Sequence, residues 1–82
     1  DDSTTVVLRN KITELAHCID PALSIHDFRM VPGPTHTNLI FDVVTPFGFR
    51  LEDAEVARQL RALIRTFDSH YVPVIQVEHS YI

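Results

Sequence analysis

The residues of this chain best suited to chemistry stand together at Ile25-His26-Asp27-Phe28-Arg29. Charged side chains packed this densely inside a β-forming stretch need partners, because an uncompensated charge taken out of water is costly. In a regular strand, successive side chains point to opposite faces. His26 and Asp27 are therefore expected on opposite faces, and Asp27 and Arg29 on one face, where they can form an ion pair. A hairpin turning at Pro32–Thr37 brings His26 opposite the neighbourhood of Asp42, and Gln76 and Glu78 of the last strand can flank the same face. An imidazole converging with carboxylates offers the nitrogen and oxygen donors that Zn²⁺ accepts. A satisfied structural histidine is the alternative that spacing leaves open. His79 follows Glu78 and can swing in from the strand end.

The other candidates carry less. His36 sits in the turn and is expected to be solvated, and His70 precedes the last strand. His17 and Cys18 close the first helix, with Cys18 read as a small core residue. No CxxC, HExxH, GxGxxG or phosphate-loop pattern is present. No serine has the sequence context of a nucleophile. With no catalytic constellation to assign, the chain is not expected to be an enzyme.

The elements that must position these residues follow from periodicity. From Thr4 to Ile19, apolar residues at Val7, Leu8, Ile12, Leu15, Ala16 and Ile19 have the spacing of an amphipathic helix. Ser3, Thr4 or Thr5 can cap it, and Pro21 stops it. Ala22 to Val31 reads as a strand, Pro32-Gly33-Pro34 as a turn, and Thr37 to Thr45 as a second strand with Leu39, Phe41 and Val43 on one face. After a loop at Pro46 to Arg50, Glu52 and Asp53 suit a helix N-terminus. Val56, Leu60, Leu63, Ile64 and Phe67 then form its apolar stripe, while Arg58, Arg61 and Arg65 line a solvated face. Tyr71 to Glu78 is a last strand. The order α-β-β-α-β predicts an α+β, ferredoxin-like sandwich with two helices on one face of a three-stranded sheet. The second sheet face is left uncovered, with Ile40, Val44 and Val72 or Val74 beside polar groups, and this suggests a partner.

At 82 residues the chain is read as one domain, of a size at which association often supplements a small core. Its net charge of -4 and lack of a basic stripe argue against nucleic acid. A single cysteine allows no internal disulfide and fits a reducing compartment. No apolar run is long enough to cross a bilayer.

The stretch from Ser24-Ile25-His26-Asp27-Phe28-Arg29-Met30-Val31 through Pro32-Gly33-Pro34 to Leu39-Ile40-Phe41-Asp42-Val43-Val44 resembles the cytoplasmic domain of cation diffusion facilitator (cation efflux) transporters. Members of that family often read His-Asp-Leu-Arg in the first strand, and here Phe28 takes the third place. Asp20-Pro21 after the first helix, and the closing run Val74-Ile75-Gln76-Val77-Glu78-His79-Ser80-Tyr81, follow in the family's order. The likeness covers nearly the whole chain.

The resemblance implies a homodimer that exports Zn²⁺, Mn²⁺, Fe²⁺ or a related ion, usually against protons. Its transmembrane part would precede Asp1, and its cytoplasmic domain, at the inner face of the cell membrane, would bind metal near the dimer interface and close. By the same resemblance His26 matches a metal-binding histidine. Asp42 and Gln76 stand where many members have histidine, and Glu78 where they have a carboxylate. The implied metal ligands are His26, Asp42, Glu78 and His79. So oxygen-rich a set favours Mn²⁺ or Fe²⁺ over Zn²⁺. Two other functions stay open: a dimerisation module that needs no metal, and a ferredoxin-like small-molecule sensor with a pocket at His26, Asp42 and Tyr71.

Overall fold

The computed structural model describes residues 2–82. Its elements are α1 (Asp2–Ile19), β1 (Ser24–Pro32), β2 (Thr37–Pro46), α2 (Asp53–Phe67) and β3 (Tyr71–Ser80). The sheet order is β1-β2-β3, with β1 antiparallel and β3 parallel to the central β2. The parallel pair is joined through α2, the crossover such a pair requires. The result is the expected α+β, ferredoxin-like arrangement, with two helices packed on a three-stranded mixed sheet.

One face of β2 supplies the floor of the core. Thr37, Leu39, Phe41, Val43 and Thr45 are buried in strict alternation, the period-2 signature of a strand covered on one side. Leu8, Ile12 and Ala16 of α1 and Val56, Leu60 and Ile64 of α2 close over that floor, with Leu23 beside them. Each helix therefore buries one stripe at i, i+4 and i+8. Val7, placed on the α1 stripe by periodicity, is instead 69 % exposed. Cys18 is also exposed, so it is not the core residue expected. The helix begins at Asp2, so Ser3, Thr4 and Thr5 lie within it rather than capping it.

The connections are tight. In the hairpin turn, the Gly33 N–H donates to the His36 carbonyl at 2.9 Å, and a Cβ on Gly33 would stand 3.0 Å from that oxygen. Between α1 and β1, the Asp20 carboxylate accepts from the Ala22 N–H at 2.9 Å and from Arg50 Nε at 3.0 Å. These two donors, the backbone one first, hold the Asp20 carboxyl below the usual aspartate range. Arg50 also donates to the Ile19 carbonyl at 2.9 Å, which ties the β2–α2 loop to the end of α1. Gly48, at φ 75, turns that loop.

The expected regular alternation fails in β1. His26 pairs with Asp42 and Arg29 with Ile40, so Asp27 and Phe28 together oppose one residue of β2. This is a β-bulge, and Asp27 takes φ 55 within it. Aspartate is among the few residues that adopt the left-handed region at modest cost. The extra residue resets the faces. Ile25, Phe28 and Met30 turn to the core, where Phe28 stacks on Phe41 with ring centroids 5.9 Å apart.

Candidate functional site

The bulge decides which polar groups meet. His26, Asp27 and Arg29 are all exposed, and Asp27 is near enough to Asp42 to influence its carboxyl. His26 and Asp27 therefore do not point apart. Asp27 and Arg29 are both exposed but form no ion pair among the described residues, so the pair expected from plain alternation is absent.

The register builds the open face of the sheet in rows. Ser24, Val44 and Glu78 form one, and His26, Asp42 and Gln76 the next. Arg29, Ile40 and Val74 form a third, and Val31, Asn38 and Val72 a fourth. One end of the face is thus acidic and the other largely aliphatic, with Val31 and Val74 exposed. The uncovered face and its mixture of side chains are as the sequence suggests.

Asp42 sits at the centre of the acidic end. Partial burial on the sheet raises its carboxyl above the usual range. The neighbouring Asp27 carboxyl and the charge of Glu78 push it further, and the His26 ring acts in the opposite direction. The His26 Nε2 lies 3.1 Å from the Ser24 hydroxyl. Gln76 donates to Glu78 at 3.4 Å, which keeps the Glu78 side chain over the same face.

Of the four metal ligands implied by resemblance, the fold places His26 and Asp42 in one row of the open face and Glu78 in the next. It does not bring His79 to them. His79 pairs in register with buried Thr45, points to the helix side of the sheet, and has its Nε2 2.8 Å from Asp53 Oδ1 at the start of α2. Among the described residues, no three His, Cys, Asp or Glu side chains stand close enough together to hold a metal ion. The donors at Asp42 suit a divalent cation in chemistry, with paired carboxylates and one imidazole.

Asp27 is the member of this cluster that strand alternation missed. Its signal lies in the apolar neighbours: Ile25 and Phe28 are three residues apart, whereas an unbroken strand puts core residues two apart.

The remaining histidines serve local contacts. His17 Nε2 meets the Leu23 carbonyl at 3.0 Å, His36 Nδ1 the Thr35 hydroxyl at 3.1 Å, and His70 Nε2 the Thr37 hydroxyl at 3.0 Å. Tyr71 lies away from His26 and Asp42, on the helix side. There, with Val7, Leu8, Lys11 and Phe67, it lines an open groove of about 580 Å³. The three residues of the suggested small-molecule pocket therefore share no cavity. No helix among the described residues is long and apolar enough to cross a membrane. No family model, no curated protein and no solved structure matches the chain.

Proposed function

We propose that this domain is the cation-responsive regulatory domain of a divalent-metal efflux transporter, working as a pair of copies. One observation carries the proposal: His26 and Asp42 stand side by side in register on an uncovered sheet face, with Glu78 in the next row and Asp27 at the bulge beside His26. Such a cluster is better satisfied with a cation than without one. Asp27 and Asp42 would hold the ion, with His26 and Glu78 at its flank, and a divalent cation there supplies the positive charge that the carboxylates lack. The oxygen-rich set favours Mn²⁺ or Fe²⁺ over Zn²⁺. The resemblance stated above supports the transporter context.

The physical consequence is a linkage. Two chains of net charge -4 repel when their acidic faces approach. Neutralising those carboxylates favours the closely paired state over the separated one. The shift equals the difference in cation affinity between the two states, of which about 1–3 kcal/mol is typical.

Calorimetric titration of Mn²⁺ and Zn²⁺ into the wild type, Asp42→Asn and His79→Ala tests this. Binding of Mn²⁺ at least as tight as Zn²⁺, weakened about tenfold or more by Asp42→Asn and unchanged by His79→Ala, is expected. Absence of binding by either ion overturns the cation-responsive part. A second reading, a metal-independent dimerisation module, is favoured by the lack of a three-donor group among the described residues. A dimer of equal strength in chelator and in Mn²⁺ would select it.

A further inference from the structure

The helix side of the molecule has a groove that the open face does not account for. Where the start of α1 passes the end of α2 and the start of β3, Val7, Leu8, Phe67 and Tyr71 line an opening of about 580 Å³, with Thr4 and Lys11 among its polar groups. Small-molecule sites commonly span about 300–1,000 Å³. Successive residues of a helix stand about 100° apart, so the stripe that seals the core through Leu8 leaves Val7 facing the groove. Leu8 is buried accordingly, while Val7 and Phe67 keep exposed apolar surface there.

The wall made by α2 and β3 is aromatic. The Phe67 and Tyr71 rings stack with centroids 6.3 Å and planes 12° apart, which gives one nearly flat surface. Among the described residues, Lys11 is the only charged side chain lining the groove. Its ammonium stands 5.3 Å from the Phe67 ring centroid and 3.9 Å from the Glu14 carboxylate. The Lys11 and Glu14 side chains are both well exposed, so that ion pair is weak and easily exchanged. An ammonium carries three donors and can take a second carboxylate while it stays over the ring.

We infer that this groove is a binding site for a small organic anion with a flat aromatic body, its carboxylate on Lys11 and its ring against Phe67 and Tyr71. Charge complementarity selects the anion: in a chain of net charge -4, the one charged group lining this apolar groove is a cation. The stacked wall selects an aromatic body, because ring pairs gain from offset or edge geometry beyond the area they bury. The groove lies on the opposite side of the sheet from Asp27 and Asp42. Its occupant is therefore independent of the cation proposed above, and either site can fail without the other.

Naphthoate, the uncharged naphthamide and the saturated decahydronaphthoate are the probes, each titrated into the chain in chelator and followed by backbone amide chemical shifts. Saturable shifts centred on Val7, Lys11, Phe67 and Tyr71 are expected with naphthoate. Naphthamide is expected to bind about tenfold more weakly, the size of one lost charge-assisted hydrogen bond. Decahydronaphthoate is expected to bind more weakly than naphthoate. Lys11→Met keeps the apolar stem, and is expected to reduce naphthoate to the level of naphthamide while leaving naphthamide unchanged. Val7→Glu, at an exposed helix position, is expected to abolish naphthoate binding with the wild-type circular dichroism retained. Naphthoate that gives no saturable shift, or shifts centred elsewhere, overturns the inference. So does naphthamide or decahydronaphthoate binding as tightly as naphthoate, or Lys11→Met binding naphthoate as well as wild type. Shifts at the same residues that grow with protein concentration alone would assign the groove to a second copy, and would overturn it too.

Discussion

Asp42 is a carboxyl that folding has made less acidic, and the sign of that shift gives a direct prediction. Its ordinary value is 3.8, and in the fold it lies higher, first because burial disfavours the charged form and then because Asp27 and Glu78 press on it. A carboxyl raised on folding binds its proton more tightly in the native state than in the unfolded one. Stability is then undiminished below about 3.8 and falls as pH rises through the raised native value. Asp42→Asn is expected to melt higher than wild type at neutral pH, with the difference shrinking toward about pH 3.5. Thermal melts across that range check it, and an Asp42→Asn protein that melts lower at neutral pH contradicts the repulsion.

Glu55 has the opposite sign. Arg58 donates to it at 2.6 and 3.0 Å and Gln59 at 2.8 Å, and its carboxyl is held down at about 2, against an ordinary 4.5. That contribution is present above pH 4.5 and is lost as pH falls toward about 2. Glu55→Gln is therefore expected to flatten the acid limb of the stability curve in that window. The pair is largely solvated, so the change at neutral pH is expected to be small.

At the scale of elements, the β1 bulge separates what was legible from what was not. The helices, the hairpin and the last strand follow from periodicity, because each buries one stripe or one face and sequence records that stripe directly. Their ends shift by a residue or two. The faces of β1 were not legible from strict alternation, since a single inserted residue exchanges every side chain beyond it. The three-residue gap between Ile25 and Phe28 holds that information once a bulge is considered. His79 was misplaced for a related reason. Adjacency to Glu78 looked like proximity to the site, whereas neighbours on a strand face opposite ways.

Two substitutions follow from this scale. Asp27→Gly keeps the left-handed turn and is expected to cost little stability. Asp27→Val forces a β-branched residue into φ 55, and a loss of about 1–3 kcal/mol is expected. Denaturant melts distinguish the two, and equal stability would show that the bulge is not the constraint on β1. In α2, Leu60 is fully buried among α1, α2 and the sheet. Leu60→Ala is expected to cost about 2–5 kcal/mol through lost contacts and the cavity left behind. In a domain of this size each kcal/mol lowers the Tm by about 4–8 °C.

For the whole molecule, the decisive feature is asymmetry between the two faces of one sheet. The helices seal one face with aliphatic side chains, and the other is left to a strip of valines and isoleucine beside a crowded set of carboxylates. Small domains commonly complete themselves by association, and the composition of this face admits it only if the carboxylates are answered. The divalent cation proposed above is one answer, and it would centre on Asp27 and Asp42. The most direct test is an anomalous-scattering map from crystals of the domain soaked in Mn²⁺. A peak within coordination distance of the Asp27 and Asp42 carboxyls, and none at the His79–Asp53 pair, is predicted. A map with no peak on the open face, or with manganese bound at His79 instead, would contradict it.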